Sequence, residues 1–372
     1  MKSYKINKIL KSIFSIIFIV LMFDLLINAI LTENFKKKIG TSRNYSLKSV
    51  KFHHEIAPNI NVYEHWGKNK YKVITNQLGM RIGNNESYNI KSLKENIGFL
   101  GDSFVYGSGI DYENHFISLI NKNNKNYNYL NLGYVSYSPS IYYKKLKFLI
   151  EKKNINFKKI FIFVDHSDVQ DEALFYREDD EGNIVRKWLS DNEIKKRNKK
   201  YIFKNYFKQN SFIFKFYENL NSPTISKKSK NCITDNSNKN YKNYIDINRF
   251  GYGYNKDLTE EKWVKKGNKK IKYYLEKINK LSKENDFKIY IIYYPSALEV
   301  IDNINYNLSK HYIMLKNFSE LYNSRFVNIT NDFFIESNGK NNYLKYFIEC
   351  DVHWNKNGHK IIADRLIKFI NE

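Results

Sequence analysis

Cysteine is nearly absent from this 372-residue chain, where Cys232 and Cys350 are the only two. One bridge is the most they can form, so the fold must rest on a packed core rather than a disulfide framework. An oxidising compartment permits that bridge; otherwise Cys350, beside Asp351, packs as a small hydrophobe. Internal repeats and cofactor fingerprints are also lacking, and no cofactor is expected. His53-His54-Glu55 stands alone, with no second cluster at ligand spacing, so no metal is expected and a structural or substrate-rim role is. Acidic residues are in short supply, 38 against 62 basic, for a formal charge of +24. Basic domains are often phosphate binders. Here the excess is mostly lysine, it accompanies heavy use of Asn, Ile, Tyr and Phe, and no nucleic-acid motif is present. Nucleic acid is therefore not an expected partner, whereas an anionic glycan or membrane surface suits the charge.

One apolar run stands out. Lys2, Lys5, Lys8 and Lys11 lead into Ser12–Leu31, interrupted only by Asp24 and Asn28. About twenty residues suffice to span a bilayer as a helix. A cleavable signal has a shorter apolar core and a small-x-small exit, but only Ala29 is small near this end. Residues 1–34 are thus expected to be an uncleaved single-pass anchor. Four lysines and the free amine outweigh Lys36-Lys37-Lys38, which by the positive-inside rule places the rest outside the cytoplasm, on the periplasmic side. Asp24 inside a span is expensive. Its expected partner is a helix of another membrane protein or the outer interface.

What the chain does have is a serine well placed for chemistry. Ile97–Leu100 reads as a short buried strand, Gly101 and Asp102 turn the backbone, and Ser103 follows at the strand's carboxyl end. Ligands of open α/β sheets bind there, and helix N-terminal amides can hold an oxyanion. The Gly-x-Ser-x-Gly elbow is excluded, because Val105 stands at its second glycine. A serine hydroxyl needs an adjacent base oriented by a third group. The far end supplies both in Cys350-Asp-Val-His-Trp-Asn-Lys-Asn-Gly-His359. Asp351 and His353 cannot share a helix face, but in a turning loop the carboxylate can hold the imidazole. Asn355 makes a helix N-cap, with Ile362, Leu366 and Phe369 as the buried stripe behind it.

Between these ends strands and helices alternate, as a parallel sheet requires. A helix starts at Pro139 and strands are expected at 160–164, 288–294 and 325–329, with helices at 260–284 and 309–323. From about 175 to 254 the pattern breaks into a Lys-, Asn-, Asp- and Tyr-rich insertion, expected at the carboxyl edge of the sheet, lining or covering the site.

These motifs resemble the SGNH (GDSL-type) hydrolase superfamily. The resemblance implies a flavodoxin-like three-layer α/β/α sandwich over residues 96–372. Gly101-Asp102-Ser103 matches the first block. Asn131-Leu132-Gly133 matches the second, whose glycine lends an oxyanion amide. Asp351, His353, Asn355 and Gly358-His359 match the last. Two departures stand out. The spacing Asp-x-His-Trp replaces Asp-x-x-His and is similar to the membrane-linked acyltransferase branch, which includes the alginate O-acetylation proteins. The third block's Gly-x-Asn-Asp is replaced by Asp165-His166-Ser167-Asp168, putting the shorter Ser167 where an oxyanion-binding Asn would stand, with Asp168 after it. Residues 35–95 form an appendage whose Phe52-His-His and Thr75-Asn-x-x-Gly-x-Arg81 are similar to segments of membrane-anchored members from surface-polysaccharide systems.

The resemblance implies a serine esterase or O-acyltransferase acting on acyl esters, acetyl among them, of a surface glycan. Ser103 would be the nucleophile, His353 the base and Asp351 its orienting acid. Two alternatives use the same fold: a non-catalytic, membrane-tethered glycan-binding or assembly protein, and a lipid esterase.

Overall fold

The strands that matter most are apolar without alternation, as in Lys159-Ile-Phe-Ile-Phe163, because both faces of a parallel sheet are covered. In the computed structural model the described residues are 2–30, 45–49, 52–66, 69–84, 86, 94–190, 192–193, 204–206, 210–220, 241–253, 255–335 and 338–372. Lys36–Lys38, Cys232 and much of the 175–254 insertion lie outside them.

The chain opens with helix α1 (Lys2–Ile30). Five short strands follow: the hairpin β1 (Ser46–Ser49) and β2 (His53–Ile56), and the antiparallel β3 (Asn61–Trp66), β4 (Asn69–Thr75) and β5 (Arg81–Ile82). The central sheet is built from β6 (Asn96–Leu100), β7 (Asn128–Asn131), β8 (Phe157–Phe163), the later strand β11 (Lys288–Tyr293) and β12 (Arg325–Asn328). All pairings in it are parallel, and the order across the sheet is β12-β11-β8-β6-β7. Numbered within the sheet this is the order 2-1-3-4-5, the flavodoxin-like winding. The strands end within a residue of their expected places; β6 begins one residue early and β8 three residues early.

Along β8 the pleat sends Ile160 and Ile162 to one face and Phe161 and Phe163 to the other. On the first face lie the helices Pro139–Lys153, Lys262–Glu284 and Lys310–Tyr322; on the second lie Phe116–Asn123 and Lys356–Ile370. The result is the expected three-layer sandwich. Within the insertion the described residues hold a hairpin of β9 (Tyr176–Glu178) and β10 (Ile184–Arg186) and the helix Phe212–Leu220. The weak sequence pattern there concealed real elements. Ile184 bridges to Phe52, so the insertion packs on residues ahead of the sheet.

The sheet's order reverses between β6 and β8, which opens a crevice at their carboxyl ends. Ser103 begins the short helix α2 (Ser103–Tyr106) directly after β6. Arg81, buried at 2% exposure, fixes the loop that follows. Its guanidinium donates to the carbonyls of Tyr106 (2.9 Å), Gly107 (2.5 Å), Ile110 and Lys72 (3.1 Å). A planar five-donor fork suits several carbonyls at once, which lysine cannot do. Each buried carbonyl orphaned by its loss costs about 1–3 kcal/mol. Arg81→Met is therefore expected to lower stability by about 3 kcal/mol or more, read from urea unfolding of the intact chain in detergent. A loss below about 1 kcal/mol would show the loop to be held by other contacts.

Candidate active site

Asp102 sits at the N-cap of α2, and its Oδ1 accepts from the Phe104 amide at 2.9 Å. This cap sets the turn that presents Ser103. Gly107 closes α2 in the left-handed region at φ 78°, a conformation glycine adopts without strain. At Gly133 a Cβ would lie 2.8 Å from the Tyr106 amide nitrogen. Only glycine lets the loop after β7 approach α2 this closely.

The loop before the final helix closes on this turn. Phe347 and Trp354 bridge, the Ile348 amide donates to His353 O at 2.8 Å, and the Asp351 amide to Ile348 O at 3.0 Å. Tyr343 OH donates to Asp351 O (2.9 Å) and accepts from the Asp351 amide (3.1 Å). Asn355 caps the last helix through the amides of Asn357 and Gly358. Trp354 is fully buried and packs 4.8 Å from both Phe104 and Tyr294, so it is a core residue behind His353. His359 is also buried and accepts from the Phe116 amide; burial pushes it down to about 3, so it stays neutral and structural.

These loops bring together residues 250 positions apart. His353 Nε2 lies 2.7 Å from Ser103 Oγ. Its Nδ1 meets Asp351 Oδ1, which also accepts from the His353 amide at 2.9 Å. The other carboxylate oxygen accepts from Trp66 Nε1 at 3.0 Å. Trp66 also stands edge-on to the imidazole, ring centroids 4.9 Å apart. Burial works against a charged His353, but Asp351 and its hydrogen bond outweigh that. Asp102 and Asp165 add to the pull, and His353 is held above its ordinary 6.5. Burial likewise works against a charged Asp351, yet His353 and the donors around it hold the acid below 3.8. Asp102 Oδ2 lies 3.1 Å from Ser103 Oγ; burial and then the Asp165 charge push this acid up to about 7.

The expected oxyanion donors are placed less simply. Ser103 N–H is the first amide of α2 and has no acceptor among the described residues. The Gly133 amide donates to Asn131 Oδ1 at 3.1 Å, and Asn131 Nδ2 in turn donates to Val105 O. Ser167 and Asp168 belong to a capping box after β8: the Ser167 amide is taken by Asp165 Oδ2, and Asp168 Oδ2 accepts from the Asp165 amide and Tyr142 OH. Neither is hydrogen-bonded to Ser103 or His353 among the described residues. Asp165, which the motif comparison passed over, is the member whose charge reaches His353 and Asp102.

His53 and His54 are buried beside the 133–137 loop, where His54 Nε2 pairs with Val135 O and His54 O accepts from Tyr137 OH. Burial lowers both, His54 to about 3, and they act as packing beneath that loop. No cluster able to hold a metal occurs among the described residues. Cys350 is disulfide-bonded, and Cys232 lies outside the described residues. Trp66, Tyr343 and Asp165 are the neighbours sequence reasoning missed. Trp66 carried one signal, as one of only four tryptophans.

No family model matches this chain, and no curated protein matches it. Solved structures are similar in outline. A lipolytic protein of the G-D-S-L family from Veillonella parvula DSM 2008 is 12% identical, with a TM-score of 0.40, over 75% of this chain and 99% of its own. The acetyl xylan esterase AlAXEase is 14% identical, with a TM-score of 0.41, over 74% and 99%. The esterase EstA from a Pseudoalteromonas species is 12% identical, with a TM-score of 0.37, over 75% and 100%. Likeness at this level accompanies the fold and decides nothing about the site.

The geometry lets His353, when neutral, take a proton from Ser103. Ester cleavage should therefore fall as pH drops through a midpoint above 6.5, because imidazolium cannot accept. Asp351→Asn should shift that midpoint downward and lower the plateau by a factor on the order of 10^3–10^4, both read from a pH–rate profile. Trp66→Phe removes one bond to a charged acceptor, an interaction of about 1.5–3 kcal/mol, so kcat/KM should fall roughly tenfold or more. An unchanged kcat/KM would make Trp66 a packing residue only.

Proposed function

We propose that this chain is a membrane-anchored serine esterase or O-acyltransferase that cleaves acyl esters, acetyl esters foremost, of a surface glycan. One observation carries this: Ser103, His353 and Asp351 form a continuous hydrogen-bonded chain at the sheet's switch point. Ser103 Oγ attacks the ester carbonyl while its proton passes to His353 Nε2. The developing oxyanion faces the Ser103 amide, with the Gly133 amide turning from Asn131 as a second donor. Collapse of the tetrahedral intermediate expels the alkoxide, which takes the proton back from His353 and leaves an acyl-serine. His353 then deprotonates water or a sugar hydroxyl, which attacks the acyl carbon and frees Ser103.

Several features support the finer choices. Ser103 and His353 are only 8% and 6% exposed, which suits a short acyl group better than a lipid chain. The Asp-x-His-Trp spacing resembles the acyltransferase branch. Leu10–Ile30 is long and apolar enough to cross a membrane. A disulfide at Cys350 suits an oxidising compartment, in keeping with a catalytic domain on the periplasmic side. A glycan-binding protein without activity has no need of three aligned groups, two of them ionisable and held out of water.

The test is covalent capture. The intact protein is incubated with p-nitrophenyl acetate and its mass measured. An acetyl gain is expected in the parent and not in Ser103→Ala, with label lost faster to an added polysaccharide than to water if transfer is the reaction. Folded protein that neither gains the label nor releases nitrophenol across several acyl donors would favour the binding alternative.

A further inference from the structure

The insertion's helix Phe212–Leu220 leaves a large apolar surface uncovered. Ile213, Phe216 and Tyr217 are 52%, 46% and 62% exposed, and Phe212 stacks on Phe216 with centroids 6.2 Å apart. The start of this helix meets α1. Asp24 Oδ1 accepts from the Ile213 amide at 2.8 Å, while Ser211 Oγ accepts from the Phe214 amide at 2.9 Å. Asp24 is 2% exposed, although most of α1 around it is open. Asp24 thus pairs with a segment of the same chain.

The pairing has a physical basis. An acid at the centre of a span costs roughly 2.5–3.5 kcal/mol on insertion scales. A helix N-terminus offers unpaired amides and the positive end of its dipole. Depth agrees as well. Asp24 precedes the end of the span at Ile30 by six residues, about 9 Å along the axis at about 1.5 Å per residue. Interfacial helices seat their apolar face about 5–10 Å into the headgroup and acyl boundary.

We propose that the helix Phe212–Leu220 lies in the bilayer interface, with Ile213, Phe216 and Tyr217 in lipid, and that Asp24 locks it to the membrane anchor. The proposal rests on α1 being that anchor. Lipid is the occupant because this helix joins α1 at Asp24 and α1 is itself apolar and uncovered, only 6% of its candidate span being buried. Lys204, at the rim over the Phe214 ring, suits anionic headgroups. Asn205 exchanges hydrogen bonds with Lys48 of β1, so the interfacial segment is tied to the body of the protein. The membrane plane is then fixed relative to the domain at two places.

The test uses the full chain in phosphatidylcholine–phosphatidylglycerol vesicles with brominated acyl chains. A bimane label is placed at Phe216→Cys, at Ile17→Cys within α1, or at Leu321→Cys on an exposed part of the body. Quenching at 216 is expected to approach that at 17 and to exceed that at 321 by about twofold or more. Asp24→Leu should lower quenching at 216 by about half and leave 17 unchanged, while Asp24→Asn, which keeps an acceptor, should retain it. Quenching at 17 but not at 216 overturns the interfacial helix and leaves the anchor standing. Quenching at neither overturns the anchor itself. Full quenching at 216 in Asp24→Leu overturns the lock.

Discussion

The site depends on keeping the Asp351 carboxylate charged where only 18% of its side chain meets water. Desolvating such a group costs several kcal/mol unless its lone pairs are met. Here they are met from two parts of the chain, while a third holds the backbone of the same residue. The His353 amide and ring come from the loop itself, the Trp66 indole from the β3–β4 hairpin, and Tyr343 pins the backbone on both sides. Each partner is needed by the next, since a carboxylate free to turn would leave His353 without a fixed tautomer. The hairpin ahead of the sheet is therefore part of the site's construction.

Topology makes the meeting possible. Ser103 follows β6 and His353 precedes the last helix, so only a sheet wound outward from β6 in both directions returns the chain end to the first strand. Packing then sets the tolerance. Gly133 leaves room for the Tyr106 amide and Gly107 for the His115 ring, Arg81 gathers the carbonyls of Tyr106, Gly107 and Ile110, and Asn69 Nδ2 holds Gly109 O from the hairpin side at 3.0 Å.

Much of this was legible in the sequence, for reasons that can be named. Strands buried on both faces read as apolar runs, and the helix Lys262–Glu284 carries its stripe at helical spacing. Ser103, Asp351 and His353 stood in motifs whose spacing reflects local turns, and a cap residue such as Asn355 acts within three positions of itself. Trp66 was illegible because its role comes from a contact across the fold, reaching Asp351 over 285 residues; Tyr343 acts on Asp351 from nearby, through a bond to backbone that no motif marks. The partner of Asp24 was illegible likewise, lying 189 residues away in a stretch with little periodicity. At Ser167 the backbone amide is taken by the Asp165 cap, a local contact that the motif does not show.

Three carboxylates near one serine raise a conflict that the site's own burial resolves. Asp351, Asp102 and Asp165 all favour the imidazolium that forms as His353 takes the serine proton, which helps a step whose transition state carries that charge. The same charges oppose an oxyanion forming beside them. Burial and Asp165 push Asp102 up to about 7, so the charged form of this acid is disfavoured beside the nucleophile. A protonated Asp102 adds no negative charge beside Ser103, whose Oγ donates to Asp102 Oδ2 at 3.1 Å and lies 2.7 Å from His353 Nε2. An ionised Asp102 would compete with His353 for the serine proton. The acid beside the nucleophile thus caps α2 through one oxygen and meets the serine hydroxyl through the other.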